Sequence, residues 1–178
     1  MFFVPGRWLP LEICRSRVPE TLIPWLAEPG LLTARVHACC GDGAQLNLLR
    51  VVRTPLAPPD ARRLDVADRG CLRREIELRC GARRWIYACS IFPDSTVRAH
   101  PWLGELGGNG LGETLARVDE VQREPLEYLE LDPTHELALA ATGDRVADMP
   151  LWARRKLYRL PGGPILVQEV FLPVLDTP

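Results

Sequence analysis

Cys71-Leu72-Arg73-Arg74-Glu75-Ile76-Glu77-Leu78-Arg79-Cys80, then Gly81-Ala82, then Arg84-Trp85-Ile86-Tyr87-Ala88-Cys89-Ser90-Ile91-Phe92, reads as a β-hairpin closed by Pro93. In alternation, Leu72, Arg74, Ile76 and Leu78 share one face of the first strand, and Arg73, Glu75, Glu77 and Arg79 share the other. The all-charged set is expected to be a solvated face. The other set is a core face with one exception, Arg74. A guanidinium among apolar neighbours costs several kcal/mol unless it is paired or meets an anion.

A second exception lies near the C-terminus. In Ile165-Leu166-Val167-Gln168-Glu169-Val170-Phe171-Leu172, Glu169 shares a face with Ile165, Val167 and Phe171. A cation and a carboxylate on the inner faces of two strands are the start of a site for a small anionic, hydroxylated ligand.

Outward from the hairpin, Val18–Pro29 is expected to contain a short amphipathic helix ended by Pro29-Gly30. Thr33–Cys39 reads as a strand, Gly41-Asp42-Gly43 as a turn and Ala44–Arg53 as the returning strand. Short helical turns are expected at 100–106 and 111–118, joined by a glycine-rich loop. Leu126–Leu131 reads as a strand and Glu136–Ala141 as a helix. Trp152–Leu160 and Ile165–Leu172 form a last hairpin, turning at Pro161-Gly162-Gly163-Pro164. The pattern predicts an α+β fold: a single antiparallel sheet of about six strands, with short helices between the hairpins. The 178 residues fit one domain, 1–178, with no repeat or low-complexity tail.

Hydrophobic content of 47% and charged content of 25% are ordinary globular values. Lys+Arg of 22 against Asp+Glu of 23 gives a net charge of -1, which argues against a nucleic-acid partner. Lys156 is the only lysine. No apolar run reaches the ~18 residues of a membrane span. The start, Met1-Phe2-Phe3-Val4-Pro5-Gly6-Arg7, lacks the pattern of a secretory signal. The six cysteines form no C-x-x-C pair and are expected to be free thiols in a reducing cytoplasm, although Cys80 has neighbours in cross-strand reach. His37, His100 and His135 are dispersed, so no metal site is expected.

Arg74 has two readings: bidentate capture of a substrate carboxylate, or a structural ion pair with a carboxylate such as Glu169. Glu169 is either a partner for a ligand hydroxyl, an acid or base, or a strand-edge charge reaching solvent. Gly107-Gly108-Asn109-Gly110-Leu111-Gly112 lacks the context of a phosphate loop. It offers a backbone N–H near Leu111 to a carboxylate, or it is a flexible turn. Arg154-Arg155-Lys156 beside Trp152 is expected to be a solvated strand face with one inward residue.

These pieces, in this order, resemble the chorismate pyruvate-lyases of the ubiquinone pathway. The resemblance is carried by Trp25-Leu26 and Leu32-Thr33-x-Arg35; by Arg74-Glu75-Ile76; and by Trp85 and Ala88 leading to Ile91-x-Pro93 and Ser95-Thr96. It continues through Leu106-Gly107 with Leu111-Gly112, Leu151-Trp152-x-Arg154-Arg155, Gly163-Pro164 and Glu169-x-Phe171-Leu172-Pro173. It implies conversion of chorismate to 4-hydroxybenzoate and pyruvate without metal or organic cofactor. It also implies a cytoplasmic monomer whose internal ligand cavity lies beneath helical flaps.

Carried over, Arg74 and the Leu111 N–H hold the ring carboxylate, Glu169 meets the ring hydroxyl, and Leu32 packs on the ligand. Arg155 is assigned to the enolpyruvyl carboxylate. Two departures stand out. Gly110 precedes Leu111 where the family commonly has proline, and the segment from Asp132 to Asp148 is long, which would enlarge a flap. Two other readings are a non-catalytic effector domain of the same fold, as in bacterial transcription regulators, and a lyase giving another hydroxybenzoate. Those regulators carry an N-terminal winged-helix module, whereas only a short stretch precedes Trp25 here.

Overall fold

The computed structural model describes residues 6–173; of the N-terminal stretch read for a secretory signal, residues 1–5 lie outside it. Seven strands form one antiparallel sheet: β1 (Ala44–Pro55), β2 (Gly70–Cys80), β3 (Arg83–Pro93), β4 (Gln122–Arg123), β5 (Glu127–Leu131), β6 (Leu151–Leu160) and β7 (Gly163–Phe171). The order is β1-β2-β3-β7-β6-β4, with β5 also pairing along β6. Six of the segments expected as strands form; the seventh strand is the two-residue β4, which shares the outer edge of β6 with β5.

Two of the three expected hairpins form. Gly81 (φ +56°) turns β2 into β3, and Gly162 (φ +93°) turns β6 into β7. The sheet carries helices on both faces. On one lie α1 (Leu11–Cys14), α2 (Ile23–Leu26), α3 (Leu32–Cys40) and, beyond α5 (Asp94–Ala99), α6 (Leu111–Leu115); on the other lie α4 (Pro58–Leu64) and α7 (Glu136–Thr142). The expected helix within 18–29 is confined to α2.

The segment expected as a strand at 33–39 is helix α3. Leu32, Val36 and Cys40 recur every four residues and all three pack in one apolar cluster with Trp25, Ile76 and Ala88. That spacing is a helical face. β1 pairs with β2 instead of folding back on this segment.

The face of β2 expected to be solvated is covered. Glu75 and Glu77 are 4% and 5% exposed. β2 is an interior strand, and α7 lies over this side, where Arg84 Nη2 donates to the Ala141 carbonyl at 2.8 Å. Burial is possible because the charges are matched: Glu75 meets Arg50 and Arg73, each at 2.8 Å, and Glu77 meets Arg79 at 2.7 Å. The long 132–148 segment supplies α7 to this same layer, so its helix is not a flap over the opposite face.

The expectation of free thiols also fails at one pair. Cys40, at the end of α3, is disulfide-bonded to Cys80, at the end of β2, with Cα atoms 5.6 Å apart. Cys14, Cys71 and Cys89 are free and buried, and Cys39 is free and exposed.

Candidate active site

Register fixes which side chains meet. Arg74 on β2 lies opposite Ser90 on β3, which faces Val167 on β7, which faces Lys156 on β6. The next rung on the same face runs Ile76, Ala88, Glu169, Arg154. These two rungs floor a small cavity of about 70 Å³. Leu32, Arg74, Leu111 and Glu169 line it, as do Ser90, Arg154, Lys156 and Tyr158.

Two short segments roof the cavity: Gly30–Thr33, which opens α3, and Gly110–Leu115, which contains α6. They touch each other. A Cβ on Gly112 would collide with Leu31 Cδ2, so glycine lets α6 seat against the other lid.

Arg74 is 1% exposed. Its Nε and Nη2 donate to the Gly107 carbonyl at 3.2 and 3.0 Å, and Nη2 also donates to the Asn109 carbonyl at 2.7 Å. The glycine-rich loop therefore presents carbonyls to this guanidinium. Among the described residues, Arg74 forms no ion pair, and its Nη1 has no hydrogen-bond partner. Burial without an opposing carboxylate pulls its pKa below the ordinary arginine value. The expected alternative, a structural pair with Glu169, is not what the structure contains.

Glu169 instead accepts from Arg154 Nε at 2.6 Å. Arg154 is 3% exposed, and its Nη1 donates to the carbonyls of Leu26 and Glu28 at 3.2 and 2.7 Å. One side chain thus caps the end of α2 and holds the carboxylate that lines the cavity. Sequence reasoning passed over Arg154, although alternation from Trp152 places it on that face.

Arg155, assigned from sequence to the substrate, lies on the opposite face. It pairs with Glu127 at 2.9 Å and stacks 4.5 Å from the Trp8 ring centroid. Strand parity is the reason: adjacent residues point to opposite sides of a sheet. The histidines stay apart: His37 is exposed on α3, His100 contacts the Pro161 carbonyl, and His135 caps α7.

The cavity is lined by three cations, Arg74, Arg154 and Lys156, and one carboxylate, Glu169. Tyr158 remains a neutral phenol, its pKa pushed up to about 12 by burial and by Glu169. A sheet with two helical lids over a small cavity of excess positive charge is an architecture suited to a small organic anion.

The comparisons with known proteins narrow that class. The chorismate lyase family model matches residues 7–177. The probable chorismate pyruvate-lyase of Thiobacillus denitrificans is 37% identical over 175 residues, covering 96% of this chain and 91% of that protein. That of Aromatoleum aromaticum is 38% identical over 172 residues, covering 92% and 91%. The chain belongs to the chorismate lyase family. Among solved structures, the effector domain of PhnF from Mycobacterium smegmatis shares the fold, with a TM-score of 0.55 at 14% identity over 80% of this chain and 88% of that one.

Proposed function

We propose that this chain is a cytoplasmic, monomeric lyase that converts chorismate to 4-hydroxybenzoate and pyruvate for the ubiquinone pathway, with residues 1–178 acting as one domain. The observation that carries the site assignment is Arg74: a buried guanidinium lining the cavity, with no carboxylate paired to it among the described residues. Arg74 and the Leu111 N–H hold the ring carboxylate, Glu169 accepts from the ring hydroxyl, and Leu32 packs on the ring.

The chemistry asks little of the protein. The C–H pair at the hydroxyl-bearing carbon becomes a ring double bond, and the neighbouring C–O bond breaks. Its electron pair leaves with enolpyruvate; the proton lost from the ring is balanced by the one taken up at the enolpyruvate methylene carbon as it ketonises to pyruvate. Aromatisation drives the reaction; the site contributes a fixed conformer and exclusion of water. Glu169 anchors the hydroxyl, a reading supported by the Arg154 hydrogen bond that braces its carboxylate. A site that grips carboxylate and hydroxyl also grips 4-hydroxybenzoate, so product inhibition is expected.

Purified protein mixed with chorismate, with the aromatic product identified by chromatography, tests this. 4-Hydroxybenzoate supports the reading. A different isomer favours a related lyase. The absence of any product favours an effector domain, the role of proteins that share this fold at low identity.

A further inference from the structure

Lys156 is the chain's single lysine, and it lines the cavity. It stands on β6, on the same rung as Arg74, with Ser90 and Val167 between them. Three strand spacings separate the two backbones, about 14 Å. Both side chains are long and the two between are short, so the ammonium and the guanidinium flank the middle of the cavity floor.

The charges nearest Lys156 do not neutralise it. Glu169 is engaged by Arg154 at 2.6 Å. Among the described residues, no carboxylate lies within ion-pair distance of Lys156. Arg154 and Arg123 add positive charge around it, and burial, then Arg154, pulls its pKa below the ordinary lysine value. Once Arg154 and Glu169 cancel, two cations remain on the lining, Arg74 and Lys156. Chorismate carries two carboxylates.

We propose that Lys156 binds the enolpyruvyl carboxylate of chorismate, opposite the ring carboxylate on Arg74. This rests on the lyase reading above and deepens it. The role given from sequence to Arg155 passes to its neighbour, which has the right parity. Lys156 orients the leaving group and holds its carboxylate as the ether bond breaks. It has no partner on 4-hydroxybenzoate, whose one carboxylate belongs to Arg74. The two ligands therefore report separately on the two cations.

The test is steady-state kinetics on Lys156→Met and Lys156→Arg with chorismate, together with inhibition by 4-hydroxybenzoate. Loss of a charged hydrogen bond corresponds to a KM for chorismate raised about tenfold or more in Lys156→Met. The inhibition constant of 4-hydroxybenzoate should stay within about twofold, and Lys156→Arg should recover most of the loss, by the same reasoning. An unchanged KM in Lys156→Met overturns the proposal, as does a parallel weakening of both ligands, which is the mark of a merely structural role. Should Lys156→Met fail to fold by circular dichroism, Lys156→Gln takes its place under the same criteria. A wild-type protein with no turnover of chorismate overturns the lyase reading and this one with it. Turnover with an unaffected Lys156 variant overturns this one alone.

Discussion

Arg154 and Glu169 sit directly opposite each other on β6 and β7, and Arg154 Nε donates to Glu169 Oε2 at 2.6 Å. The same guanidinium reaches the carbonyls at the end of α2. It thus joins the sheet, the carboxylate and the N-terminal lid region.

Arg154→Met should therefore be severe. It strands a carboxylate in the cavity and removes the donor to buried carbonyls. Breaking a buried pair by deleting one partner costs about 3–5 kcal/mol. Urea unfolding is expected to show a midpoint lowered accordingly, and a midpoint within experimental error of wild type would refute the bracing role.

Arg74→Ala should cost at least ~2 kcal/mol in transition-state stabilisation, the magnitude of a lost charged hydrogen bond. Arg74→Lys should recover little, because an ammonium cannot serve two loop carbonyls and a ligand carboxylate with one planar fork. Measurement of kcat/KM with chorismate decides this. Near-normal turnover in Arg74→Ala would remove Arg74 from the site.

Gly112→Ala sets two effects against each other. Alanine in α6 gains about 0.5–1 kcal/mol of helix preference. Its Cβ collides with Leu31, and overpacking costs about 1–3 kcal/mol unless the lids part. Stability should change little while affinity for 4-hydroxybenzoate falls and product inhibition weakens. Calorimetric titration beside a melting curve checks both; unchanged affinity would show that Leu31 simply swings aside.

Acid should destabilise the back of the sheet. Burial by itself would raise the pKa of Glu75, Glu77 and Glu127, yet their arginine partners outweigh it and hold all three below the ordinary glutamate value. A depressed pKa means the folded state binds fewer protons than the unfolded one. Stability from these groups is complete above about pH 4.5, the unfolded value, and drains away as pH falls through the lower folded values. Melting temperature should be flat with respect to these groups from neutrality to that point and then drop. Retained stability well below it would contradict the sign.

The sequence made the two hairpins legible because each turn glycine interrupts a clear alternation, at Gly81 and at Gly162-Gly163. Alternation also put Arg74 and Glu169 on one side of the sheet, and both line the cavity. Three features were hidden for physical reasons. Leu32, Val36 and Cys40 fit a helix, but within a short segment their pattern is also compatible with a strand. Glu75 and Glu77 look solvent-facing until the arginines that neutralise them are brought together from β1, β2 and β3. Arg154 was concealed by its neighbour: two adjacent arginines look equivalent in sequence, and only the sheet's parity separates the one in the cavity from the one beside Trp8.

Arg74 grips the Gly107 and Asn109 carbonyls from inside the cavity, just ahead of the lid helix. The group proposed to receive the ligand is thus also the latch on its own door. Displacing the Arg74 side chain would therefore loosen the loop ahead of the lid together with the cavity wall.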